Sequence, residues 1–370
     1  MDTILGGKKL KDFWRGDAVL HDNFLFKFHH QGNFAVILFG VVFIFGMNYL
    51  DGKAIQCTHH DNKDFNEKYC WLHGSGHVPD NLQPSGGSKC IANQNDISGK
   101  DDERHTRYYL WVPFVLVLCL AVIKAPRVLW KQVFERRQIA GAVGGPDGQP
   151  SDKIAQRFEK LRKKAHRLHW GFFLCELFNI ASVFLCFAIL NALFGKKFYN
   201  YGSDFLRPQS TGVDPLCNIF PTVVSCNVKS GGADGNVDNA SLLCLLSNNL
   251  FNQYYFLIVW FWWVALLSAS GLGLVYRLAE ILLPPVSRLV FLCRLEPHGV
   301  DLSDFGPATW RQLRPADLFL LGRICQNLKG SQITELLKEL EKAGSSRTKA
   351  GLEPEGNMEN VAMLTVTTKA

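Results

Sequence analysis

The sequence predicts an all-α membrane protein with four transmembrane helices. Three observations carry this: four long apolar stretches, a strongly basic segment between the second and third, and six cysteines set three apiece in the two segments on the other side. The averages conceal it. At 370 residues, 47% hydrophobic and 20% charged, with a mean hydropathy of +0.02, the chain would pass for two or three soluble domains. Composition excludes a disordered chain, a collagen-like chain and a small disulfide knot. A window scan shows that apolar and charged residues are segregated rather than mixed.

The first span is assigned to 33–50, without a charge along its length (NFAVILFGVVFIFGMNYL). At 1.5 Å per residue it reaches about 27 Å, close to one hydrocarbon thickness. The second, 108–130, meets charge only near its end, at Lys124 and Arg127, whose stems can carry the charge towards the headgroups. The third, 170–194, holds Glu176 as its single charge. The fourth, 254–283, runs FLIVWFWWVALLSASGLGLVY before Arg277 and Glu280. Buried helices of a large soluble protein are the competing reading, and four separate stretches of this length count against it. The first span starts too late, is too long and lacks the small-x-small site of a cleaved signal peptide, so it is expected to remain as an uncleaved anchor.

Charge orients the spans. Segment 131–169 has ten Lys/Arg against four Asp/Glu, a net of +6, whereas 51–107 has seven against nine and 195–253 four against four. The basic segment is therefore expected in the cytoplasm. With four spans, both termini, 1–32 and 284–370, share that side, and 51–107 and 195–253 face outward. Cysteine placement agrees: Cys57, Cys70 and Cys90 fall in the first outer loop, and Cys217, Cys226 and Cys244 in the second. An even set in an oxidising compartment implies disulfides, with fifteen pairings open. Cys119, Cys175 and Cys186 lie inside spans and read as small apolar residues. The one N-x-S/T sequon, at Asn239, falls in the second outer loop, as this topology requires.

Local strings narrow the class. The second span opens Tyr108-Tyr109-Leu110-Trp111-Val112-Pro113-Phe114, similar to the YYQWV signature of the innexins with Leu110 at the usual Gln, and it ends Ala125-Pro126-Arg127-Val128-Leu129-Trp130, which resembles their PRxxW stretch. Phe220-Pro221-Thr222-Val223-Val224-Ser225-Cys226, Leu243-Cys244-Leu245 and Asp317-Leu318-Phe319-Leu320-Leu321 also look innexin-like, and the resemblance covers roughly residues 1–340. It implies a four-helix subunit of a ring-shaped large-pore channel, with disulfide-stapled outer loops and a helical cytoplasmic domain. Seven or eight copies would surround the pore, as an unpaired hemichannel or docked to a ring in an apposed cell to form a gap junction. The resemblance further implies residence in the plasma membrane among its lipids, and no cofactor. The family pairing is nested, which implies Cys57 with Cys244 and Cys70 with Cys226. Innexins usually carry two cysteines per outer loop; the extra Cys90 and Cys217 would then make a third bridge. Three per loop is the connexin number, but these strings are not connexin-like.

Individual features follow. Pro113 removes a helical hydrogen bond inside a span, which is either a tolerated kink or a gating hinge. By resemblance the first ten residues form a pore-mouth helix, making Met1, Asp2, Thr3, Ile4, Leu5, Lys8, Lys9 and Lys11 candidates for setting selectivity and gating. Glu176 is expected in a structural ion pair with Lys124 or Arg127. His59, His60, His73 and His77 crowd the first outer loop; solvated surface histidine is the plainer reading, against a proton or zinc modulation site. The Gly141–Gly148 string lacks GxxxxGK[ST] and reads as a flexible break. Lys160, Arg162, Lys163, Lys164 and Arg167 form a basic run suited to anionic lipid heads rather than nucleic acid. Ser331–Glu341 has helical periodicity with a capping box opened by Ser331 or Gln332, and the chain beyond about 344 is expected to be disordered. No nucleophile elbow, H-E-x-x-H or intramembrane acid cluster suggests an enzyme. A four-span adhesion or scaffold protein without a pore is the alternative, but the loops lack the CCG and W-x-x-W-C patterns of such proteins. A glycan on Asn239 would oppose docking and favour the unpaired channel.

Overall fold

The computed structural model describes residues 24–50, 54–58, 63–76, 78, 90–91, 108–132, 150–207, 214–231, 237–300 and 313–349. In chain order the helices are α1 (Leu25–Tyr49), α2 (Lys63–His73), α3 (Tyr108–Trp130), α4 (Ser151–Arg162), α5 (Ala165–Leu193), α6 (Tyr201–Leu206), α7 (Asn248–Leu282), α8 (Pro284–Leu295), α9 (Pro315–Cys325) and α10 (Gly330–Lys349). The strands are β1 (Gln56–Cys57), β2 (Val223–Gly231) and β3 (Val237–Leu245). Four of the helices, α1, α3, α5 and α7, are long and apolar enough to cross a membrane.

Three of these begin before their apolar stretches, whereas α3 keeps the bounds 108–130 of its own. α1 takes in His29 and His30, α5 takes in His166 to His169, and α7 opens on Asn248. An apolar run marks the length suited to lipid, whereas a helix continues wherever its backbone bonds and side chains find partners. α1 is not uniform. A regular stretch, Phe34–Phe45, lies between π-helical turns at Phe28–Asn33 and Gly46–Leu50. α3 is continuous through Pro113 and Pro126. α5 stops at a left-handed turn, with Gly195 at φ +62° and the Lys196 N–H donating to Asn191 O at 2.7 Å.

The contacts form two compact units, one from the described residues of Asp22–Trp130 and Phe173–Val275, the other from those of Lys131–Phe172 and Tyr276–Ala370. The core of the first follows helical periodicity. Val112, Leu116, Cys119 and Ile123 of α3 meet Ile37 and Ile44 of α1, Val183, Cys186 and Leu190 of α5, and Phe256, Val259 and Trp263 of α7. The opposite faces stay apolar and exposed, as at Trp111, Phe114 and Val117 or Phe184 and Leu185, which suits lipid or another subunit rather than water. Gly40 leaves room for the Tyr255 side chain of α7: a Cβ there would overlap its hydroxyl and ring, and its Oη donates to Val36 O at 3.2 Å.

The second unit is built from α4, α8, α9, α10 and the helix ends that join them. α9 is buried from Ala316 to Cys325. Asp317 anchors it, its Oδ2 accepting from Arg162 Nε of α4 at 3.0 Å and from the Arg314 N–H at 3.1 Å. The guanidinium groups of Arg277 and Arg323, both buried, lie over the rings of Phe172 and Phe319. Arg277 pairs with Glu280, which also meets Arg294 at 3.4 Å. His169 stacks flat on Phe319, with ring centroids 4.2 Å apart. The basic run therefore loses Arg162 to an internal ion pair, while Lys160, Lys163, Lys164 and Arg167 remain exposed. α10 starts earlier than the sequence predicts, and its cap comes from Gln332, whose Oε1 accepts from the Lys329 N–H at 3.2 Å. It packs on α4 through Ile333, Leu336, Leu337 and Leu340, with Ser151 Oγ donating to Glu335 Oε2 at 2.8 Å. The tail beyond 349, the segment 1–23 and the Gly141–Gly148 string lie outside the described residues.

Candidate functional site

Alternating residues of β2 and β3 give a hairpin whose register runs from Val223↔Leu245 to Gly231↔Val237. Pieces of the first outer loop attach to both sides of it. β1 pairs with β3 and sets Cys57 opposite Cys244. Gly76 exchanges two backbone hydrogen bonds with Ser225, at 2.8 and 3.1 Å, and Cys90 O accepts from the Thr222 and Val223 N–H groups. Three disulfides hold this arrangement: Cys57–Cys244, Cys70–Cys226 and Cys90–Cys217. Cys70 comes from α2, on the turn that buries it together with Asn66. The sulfurs of Cys57, Cys70 and Cys244 lie within 4.8 Å of one another, but each is committed to a bridge, so the cluster is a pair of adjoining staples and offers no free thiolate to a metal. Ile55, Val224, Val228, Leu242 and Leu246 pack around them. His73 is exposed and stacks on Tyr69; His59, His60 and His77 lie outside the described residues.

The start of α3 ties this cap to the spans. Tyr109 stacks on Trp71 of α2 at 4.4 Å, and its Oη donates to Cys70 O at 3.5 Å. Tyr108 is edge-on to Phe194 and Phe220, and its Oη accepts from Asn249 Nδ2 at 2.9 Å. Val112 and Pro113 are buried, whereas Trp111 is 60% exposed on the opposite face. The string is thus read in two directions by a 3.6-residue period.

Four buried amides at the head of α7 complete the junction. Asn248 donates to Met47 O at 3.2 Å and Asn48 Oδ1 at 3.1 Å of α1, Asn249 to Pro221 O at 2.6 Å, Asn252 to Asn249 Oδ1 at 3.2 Å, and Gln253 to Phe220 O at 2.7 Å. These residues went unnoticed in the sequence because they precede the apolar run. The signal was the string SNNLFNQ directly before it, too polar for lipid and too rich in amides for an ordinary loop. At the other end of α1, Lys124 Nζ donates to His30 O at 2.6 Å and sits 4.0 Å from the Phe34 ring. Glu176 lines a cavity of about 20 Å³ with His29, Asn179 and Ser270. Asn239 lies on β3 opposite Lys229. Met1 to Leu5, Lys8, Lys9 and Lys11 lie outside the described residues.

The innexin family model matches residues 22–343. The chain belongs to the innexin family. Among relatives, it is 27% identical to innexin inx2 of Schistocerca americana over 90% of this chain and 96% of that one. It is 25% identical to innexin inx3 of Drosophila melanogaster, covering 90% and 87% of the two chains, and 25% identical to innexin shaking-B of the same fly, covering 90% and 92%. Innexins are gap-junction channel proteins, so this chain is a large-pore channel subunit: a four-span membrane protein with disulfide-stapled outer loops. In this innexin, the family strings are the residues that join the cap to α3 and seat α9 in its unit.

Proposed function

We propose that this innexin assembles as a ring of seven or eight copies in the plasma membrane and passes ions and small molecules, either as a hemichannel or as a gap junction with a ring in an apposed cell. Segments 1–32, 131–169 and 284–370 face the cytoplasm, and 51–107 and 195–253 face outward. Residues Met1, Asp2, Thr3, Ile4 and Leu5, with Lys8, Lys9 and Lys11, line the pore mouth, and α1 lines the conduit behind them. Pro113 acts as a gating hinge in α3. Lys160, Lys163, Lys164 and Arg167 meet anionic lipid heads.

The observation that carries this reading is the cap: both outer loops fold into one three-stranded sheet held by three bridges over four spans. A rigid outer rim of that kind supports a ring and presents a fixed surface for docking. Current and dye uptake in cells expressing the chain, with electron-microscopy class averages of purified protein, test it. Rings with a central hole and a large conductance are expected; discrete monomers without current would refute it. A glycan on Asn239 favours the unpaired hemichannel, and dye transfer between paired cells should rise when Asn239→Gln removes it.

A further inference from the structure

Proline has no N–H, so Pro113 gives nothing to the carbonyl of Tyr109, four residues back. Asn48 Nδ2 of α1 donates to that carbonyl at 3.2 Å, and Tyr49 Oη donates to the next one, Leu110 O, at 2.9 Å. Both donors sit on the π-helical turn that ends α1, and Asn48 is buried. Its Oδ1 is held by Asn248 Nδ2 of α7, which also reaches Met47 O. One amide therefore stands in for the missing proline N–H, and a second fixes its orientation. The inner ends repeat the logic in reverse, with Lys124 of α3 donating to His30 O within the other π-helical turn of α1. Between helices in lipid no hydrophobic drive operates, so such bonds weigh more in the choice between packings.

We infer that Asn48 is a positioning residue for gating, coupled through Asn248 to α7, so that bending at Pro113 and movement of α1 proceed as one step. This rests on the channel reading above. Asn48→Leu should shift the open–closed equilibrium by roughly three- to twenty-fold with unitary conductance unchanged. Pro113→Ala supplies an N–H to the Tyr109 carbonyl, so in that background Asn48→Leu should shift the equilibrium by less than about twofold. Asn248→Leu should behave like Asn48→Leu and add little to it. Shifts that multiply independently in the two backgrounds would overturn the inference, since loss of packing alone would be additive. If Asn48→Leu fails to reach the surface, its recovery by Pro113→Ala becomes the readout, and no recovery overturns the inference. A wild-type chain without current would refute the channel reading instead; melting temperatures of the wild type, the two single variants and the double variant still decide the coupling, by whether Pro113→Ala restores most of what Asn48→Leu loses.

Discussion

Gly40→Ala is the most informative single change in the membrane-spanning helices. The added Cβ would overlap the hydroxyl and ring carbons of Tyr255. These atoms belong to a buried ring that cannot bend out of the way, so the side chain must turn aside or the helices must separate. Turning aside breaks the hydrogen bond to Val36 O at 3.2 Å, about 1 kcal/mol. It also disturbs the stack on Phe251 and the edge contact with Phe256, at 5.8 and 5.1 Å between centroids, roughly 0.5–1.5 kcal/mol each. The sum is about 3 kcal/mol, within the ordinary range for overpacking a core. At roughly 2–4 °C per kcal/mol for a body of this size, the solubilised protein should melt about 6–12 °C lower. Gly46→Ala is the control, because a Cβ there meets nothing within 4 Å. In a Tyr255→Ala background, which already lacks these contacts, Gly40→Ala should cost little further. A Gly40→Ala protein that melts with the wild type would refute the packing of the Tyr255 ring on Gly40.

Three further outcomes are expected. Asp317→Ala removes the acceptor of both Arg162 and the Arg314 N–H and should destabilise the unit containing α9 by about 2–3 kcal/mol, with Asp317→Asn milder, read by limited proteolysis; equal protease resistance would refute the anchoring role. Burial pushes the Cys325 thiol up to about 12, so the folded chain keeps a proton that the unfolded chain releases above about pH 9. Stability should accordingly fall as pH rises from about 9 towards 12, and Cys325→Ala should flatten that slope; parallel slopes would count against it. Replacing Cys90 and Cys217 together by serine should cost about 2–4 kcal/mol of stability, yet leave the hairpin held by its other two bridges. A double variant whose remaining bridges scramble on mass-spectrometric mapping would contradict that.

Much of this was legible in the chain because lipid and compartment leave coarse marks. The spans declared themselves through uninterrupted apolar runs such as 33–50. The junction was not legible. Asn48 sits at the polar edge of an apolar run and Asn248 just before another, and nothing local says that their amides meet across 200 residues. Arg162 looked like one more cation of a run suited to anionic lipid heads, whereas its partner, Asp317, is far away in the chain. Helix ends escaped for a related reason. α1 and α7 continue through His29 and Asn248 because tertiary partners satisfy those side chains, and periodicity carries no trace of partners.

The hairpin's pairing has a consequence for biosynthesis. A two-stranded ribbon on its own exposes two open edges, each a template for another chain. Here β1 covers β3 at Cys244 and Leu245, while Gly76 and Ile91 cover β2 at Ser225 and Val223, so the base of the ribbon has no open edge. The segments that cover it are held by the same three bridges that staple the loops. Oxidation is therefore also edge protection: a newly made chain that reaches its neighbours before its cysteines pair would offer bare strands to them, and strand exchange between copies would compete with ring assembly.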